Sequence, residues 1–272
     1  MVSDMRVSIA PLPMRRILGL GVSLLSAAFI WLVLQQDVSA IESHQGETDE
    51  IISACLAHVA GLTLGAPLGF TRAKLRAGKP LTIAALGSSS TTGFGTFGSA
   101  AFPDVMQQEL MRLEPGAQIK VINSGRAMEN LTDNIARLDS DVLQFRPDLV
   151  IWQLGTNDVV WRGIASNSKK VLADSVRRIK ATMADVILLD LQYAPLVLLT
   201  GRHTQMEAII ADVARQENVG LFPRFLLMKR AIDAGVTGLV SWDGLHNSAR
   251  GSACVGIALA QMINGAVRQP PK

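Results

Sequence analysis

The stretch Leu149-Val150-Ile151-Trp152-Gln153-Leu154-Gly155-Thr156-Asn157-Asp158 decides the fold class. Its first half is almost wholly apolar and does not alternate with polar residues. A strand exposed on one face would alternate, so this pattern asks for a strand buried on both faces. The Gly-Thr-Asn-Asp turn ends it with groups that donate and accept hydrogen bonds.

Working outward, similar short apolar runs occur at Leu81–Leu86, Ile119–Ile122, Val186–Leu191 and Gly220–Phe222. Amphipathic segments suited to helices separate or follow them: Ala101–Leu113, Asn130–Gln144, Ser166–Met183, Thr204–Asn218 and Asn247–Val267. This alternation predicts one α/β domain with a parallel sheet between helical layers. In such sheets ligands bind beyond the carboxyl ends of the strands.

Several residues suited to catalysis follow those strand ends. Gly87-Ser88-Ser89-Ser90-Thr91 follows the first strand, Asn123-Ser124-Gly125 the second, and Gly155-Thr156-Asn157-Asp158 the third. Asp243-Gly244-Leu245-His246 precedes the last helix. Acyl transfer needs a nucleophilic oxygen, a base, an anion to orient the base, and donors for a tetrahedral oxyanion. The sequence has 4 histidines, His44, His58, His203 and His246. His44 lies in the linker, and of the other three only His246 has a carboxylate three residues away, a spacing that lets both side chains lie on one side. Asp243 can then hold Nδ1 while Nε2 faces Ser89. The expected oxyanion donors are the N–H groups of Ser89 and Gly125 and the side-chain amide of Asn157.

These blocks, taken in order, resemble the SGNH hydrolases, also called GDSL esterases or lipases, over about residues 80–266. The resemblance implies a three-layer α/β/α flavodoxin-like fold with a mostly parallel sheet of about five strands. It also implies a serine hydrolase that cleaves carboxylic esters through an acyl-enzyme, with neither cofactor nor metal. Ser89, Gly125, Asn157 and His246 occupy the four block positions. Ser88 departs from the pattern, standing where the family usually has Asp. The substrate is expected to be a small-molecule or carbohydrate ester, with acylated envelope carbohydrates as one class. Two further readings stay open, an O-acyltransferase using the same site and a non-catalytic envelope binding domain.

Gly93-Phe94-Gly95-Thr96-Phe97-Gly98 fits the Gly-x-Gly-x-x-Gly pattern of dinucleotide sites. The first glycine does not follow the strand directly, however, and Asn123 stands where a ribose-binding carboxylate belongs. The expectation is a loop beside the nucleophile, with Phe94 and Phe97 lining a pocket. Arg126 suits either recognition of an anionic substrate group or an ordinary salt bridge.

The formal charge is only +3. There is no dense basic stripe with interleaved aromatics, which argues against nucleic acid as a partner. Arg15 and Arg16 precede the apolar run Ile17–Leu34, and Val38-Ser39-Ala40 follows it. That is the pattern of an export signal cut after Ala40, while the length of the run also suits a retained membrane anchor. The expected division is therefore residues 1–40 as signal or anchor, 41–79 as linker and preamble helix, 80–267 as the catalytic domain, and 268–272 as a frayed tail. Export would place the protein in the periplasm, outside the cell, or on an outward-facing anchor. There Cys55 and Cys254, the 2 cysteines, could pair in an oxidising compartment or stay as buried thiols.

Overall fold

The computed structural model describes residue 46 and residues 49–268. The export signal or anchor and the frayed tail fall outside them, except for Arg268. Five strands form one sheet: β1 (Leu81–Gly87), β2 (Ile119–Gly125), β3 (Leu149–Gln153), β4 (Asp185–Leu189) and β5 (Gly220–Phe222). Their order is β2-β1-β3-β4-β5, and every pairing is parallel. This is the flavodoxin-like strand order, whose direction of winding reverses beside β1.

The helices are α1 (residues 49–56), α2 (Gly69–Arg76), α3 (Ser89–Thr92), α4 (Phe102–Leu113), α5 (Leu131–Ala136) and α6 (Leu138–Asp141). They continue with α7 (Ser168–Lys180), α8 (Pro195–Leu199), α9 (His203–Glu217), α10 (Arg224–Asp233) and α11 (Ala249–Arg268). Because successive strand residues point to opposite faces, the sheet feeds two cores. Ile83, Leu149, Ile151, Ile187 and Leu189 pack against Met106 of α4, Leu227 of α10 and Leu259 of α11. Leu86, Val150, Trp152, Val186 and Leu188 pack against Leu131 of α5, Val176 of α7 and Ile210 of α9. The double burial expected from Leu149–Leu154 is what these two cores require.

Two of the differences from expectation bear on the site. The segment expected as one helix over Asn130–Gln144 is broken into α5, α6 and a 3-10 turn at Leu143–Phe145. The break falls at Arg137, whose guanidinium turns inward to the Gly87 carbonyl (3.1 Å), the Glu129 carboxylate (2.6 Å) and Asp141 (3.1 Å). Helix α10, by contrast, had no sequence expectation. It begins at fully buried Arg224, which donates through Nε and Nη2 to the Asp190 carbonyl at 2.9 and 2.6 Å. Asp190 Oδ1 in turn accepts the Phe225 N–H at 2.9 Å, so α10 ties down the chain leaving β4.

Cys55 and Cys254 form a disulfide spanning 199 residues, joining α1 to α11. Among the described residues, no helix is long and apolar enough to cross a membrane.

Candidate active site

Strand β1 delivers the chain into a tight turn and then α3. Ser88 immediately precedes this short helix and Ser89 is its first residue. The first N–H of a helix has no acceptor within the helix, so the Ser89 N–H can serve an external oxygen. Gln153, at the end of β3, anchors the turn. Its Oε1 accepts the Ser88 N–H at 2.9 Å, the Ser88 hydroxyl at 3.1 Å and the Thr91 hydroxyl at 3.2 Å. Ser88 and Ser90 are buried beside Ser89, but the contact with His246 belongs to Ser89.

His246 Nε2 stands 2.8 Å from Ser89 Oγ, and His246 Nδ1 stands 2.6 Å from Asp243 Oδ2. The other Asp243 oxygen accepts the N–H groups of Leu245 (2.9 Å) and His246 (3.0 Å). Burial by itself favours the neutral acid of Asp243. The hydrogen bonds from His246 and from the two backbone N–H groups outweigh it and hold the carboxyl below its ordinary range. Asp243 is thus suited to remain an anion beside the imidazole.

The expected oxyanion donors lie at the ends of the neighbouring strands. Gly125 is in register with Gly87. A Cβ on Gly125 would lie 2.7 Å from the Thr92 nitrogen and 2.9 Å from the Thr91 carbonyl carbon, so only glycine lets β2 approach α3 this closely. Its N–H donates to Asn123 Oδ1 at 3.0 Å, while Asn123 Nδ2 is held by the Thr91 carbonyl at 2.7 Å. Asn157 is buried and donates one amide hydrogen to the Glu129 carbonyl at 2.7 Å. An amide NH₂ has two hydrogens, which leaves a second donor. Asp158, next in the chain, is pushed up to about 6 by burial, partly opposed by the Leu131 N–H.

The glycine-rich loop lies against His246. Phe94 packs on the His246 ring with centroids 4.5 Å apart, and a Cβ on Gly95 would come within 2.8 Å of His246 Cβ. Both Phe94 and Phe97 are exposed. Arg126 pairs with Asp141 at 2.6 Å while its side chain stays 59% exposed.

One residue had no role assigned from sequence. Gln192, fully buried, accepts the Thr156 hydroxyl at 2.8 Å and donates to the Leu245 carbonyl at 3.0 Å. It therefore couples the Gly-Thr-Asn turn to the Asp243–His246 loop. Its position just beyond β4 was the available signal, but its partners are distant in sequence. The Leu196 N–H adds a second tie, to the Gly244 carbonyl at 3.0 Å.

Fold and site together define an ester-bond hydrolase of the SGNH type. The chain belongs to the non-GDSL lipase-like family, whose model matches residues 54–269. It is 28% identical to the esterase TesA of Pseudomonas aeruginosa over 167 residues, covering 61% of this chain and 79% of the relative. The structure is similar to a lipase/acylhydrolase from Enterococcus faecalis, with TM-score 0.58, 22% identity, and coverage of 68% of this chain and 96% of that one. It is also similar to a variant of an acetyl xylan esterase from Geobacillus stearothermophilus, with TM-score 0.58, 19% identity, and coverage of 67% and 94%.

Proposed function

We propose that this enzyme hydrolyses carboxylic esters through a Ser89–His246–Asp243 triad. Ser89 Oγ attacks the acyl carbon as His246 Nε2 takes its proton, and Asp243 stabilises the imidazolium that forms. The Ser89 N–H, the Gly125 N–H and the second Asn157 amide hydrogen then receive the charge on the acyl oxygen. At Gly125 this oxygen would displace Asn123 Oδ1 as acceptor. His246 returns the proton to the leaving alcohol, and water activated by the same base releases the acyl group. The observation that carries this reading is the continuous chain of 2.8 and 2.6 Å contacts from Ser89 through His246 to Asp243.

Acylated carbohydrates are the proposed substrate class. Likeness to an acetyl xylan esterase favours that choice, as does the open, aromatic-edged surface around His246. We also propose export, with residues 1–40 as signal peptide or anchor ahead of a linker and the catalytic domain. A disulfide between Cys55 and Cys254 suits an oxidising compartment.

A fluorophosphonate probe tests the nucleophile directly. It should label wild type and fail to label Ser89→Ala. Absent labelling of wild type, or equal labelling of both proteins, would overturn the triad.

A further inference from the structure

Beside the catalytic residues lies an open groove of about 430 Å³, lined by Arg126, Met128, Glu129, Asp133, Arg137 and Arg162 among others. Its wall runs between two of the proposed oxyanion donors. Arg126 directly follows Gly125 and donates its N–H to the Gly87 carbonyl at 3.0 Å, while the Glu129 carbonyl holds Asn157 at 2.7 Å. Arg162 closes the π-helix Asp158–Arg162 that starts next to Asn157. A substrate whose carbonyl reached Ser89 and which extended past Gly125 or Asn157 would enter this groove.

The groove's charges are not evenly engaged. Glu129 is held by Arg137 at 2.6 Å and by Asn134 at 2.7 Å, with Arg137 itself buried. Asp133 is drawn into the capping box of α5 by the Asn130 N–H at 3.1 Å. Arg162 is exposed and has no ion-pair partner among the described residues. Arg126 uses Nη2 on Asp141, and its side chain is 59% exposed. Both acids are thus committed to their own surroundings, while two guanidinium groups present free N–H donors to the groove. A guanidinium fork matches carboxylate and phosphate oxygens.

We propose that this groove is a subsite for an anionic group, so that the preferred esters carry a carboxylate or phosphate on the acyl or the alcohol side. This rests on the ester-hydrolase reading above, and its consequences differ from those of that reading. Arg162 is the principal contact and Arg126 the second. A partly solvated pair of this kind should favour the charged ester by about five- to tenfold at low ionic strength, with the preference shrinking as salt is added.

The test is the ratio of kcat/KM for matched charged and neutral esters. One arm compares the 4-nitrophenyl esters of succinate and butyrate, which places the anion on the acyl side. The other compares O-acetyl esters of galacturonate and methyl galactoside, which places it on the alcohol side. At least one ratio should exceed about five and fall with salt, and in Arg162→Glu it should drop below one. Ratios near one in both arms, or a ratio unmoved in Arg162→Glu, would overturn the subsite. Continued hydrolysis of the neutral esters with labelling of Ser89 would in that case leave the triad standing. Should no ester be turned over, NMR titration of Ser89→Ala with succinate against succinamide judges the groove independently. Preferential succinate binding, lost in Ser89→Ala/Arg162→Glu, supports it, and equal binding of the two refutes it.

Discussion

Gln153 stands beneath Ser88, and its one side-chain oxygen accepts both the Ser88 N–H at 2.9 Å and the Ser88 hydroxyl at 3.1 Å. The last residue of β3 thereby fastens the turn that presents Ser89 at the end of β1. Ser88 stands where the SGNH pattern that this sequence resembles usually carries Asp. A carboxylate there would face the Gln153 oxygen as one acceptor against another, whereas a hydroxyl can donate to it.

Replacing Gln153 with Leu should leave the buried Ser88 N–H and hydroxyl without an acceptor. An unsatisfied buried donor costs about 1–3 kcal/mol. Urea unfolding of Gln153→Leu should show a loss of that size, together with reduced kcat as Ser89 drifts from His246. Unchanged stability would show that the turn does not depend on this anchor.

Asp243→Asn should preserve the fold and lose most activity. An amide cannot hold Nδ1–H as an anion does, and the analogous change in a serine protease triad lowers kcat by ~10⁴-fold. Steady-state ester kinetics with circular dichroism as the folding control check this. Wild-type turnover would remove Asp243 from the mechanism.

Asp158 sets a pH dependence of stability. Its folded pKa of about 6 lies above the ordinary 3.8, so the folded state holds the proton more tightly than the unfolded chain. Its contribution is therefore full below about pH 4 and disappears as pH rises through about 6, a change of about 2–3 kcal/mol. Buried Asp190, pushed up to about 7, acts in the same direction. Asp243 has the opposite sign, and its contribution is lost only at more acidic pH. In Asp158→Asn the fall in unfolding free energy between pH 4 and 7 should be shallower than in wild type. Parallel profiles would contradict the assignment.

The Cys55–Cys254 bridge closes a loop spanning 199 residues. Constraint of the unfolded chain by so long a loop corresponds to about 5 kcal/mol in the entropy model, and measured disulfides commonly contribute about 2–4 kcal/mol. Reduction should lower Tm, and Cys55→Ser should lower it equally with no further response to reductant. A Tm indifferent to reductant would show that the bridge adds no stability.

The almost wholly apolar run Leu149–Leu154 and its four counterparts determined a buried parallel sheet, because strand spacing and polarity are written locally. Ser89, Asp243 and His246 could be singled out as candidates for the same reason: a strand end, a turn and a three-residue interval each leave a short-range mark. Tertiary structure decided what depends on contacts between distant residues. Arg137 breaks the expected helix over Asn130–Gln144 because its charge finds partners at Gly87 and Glu129. Gln192 links the Thr156 and Leu245 segments, which lie far apart in the chain, and Cys55 meets Cys254 only because α1 and α11 come together. Periodicity reports which face of an element is buried. It carries no record of which remote polar group will be waiting there.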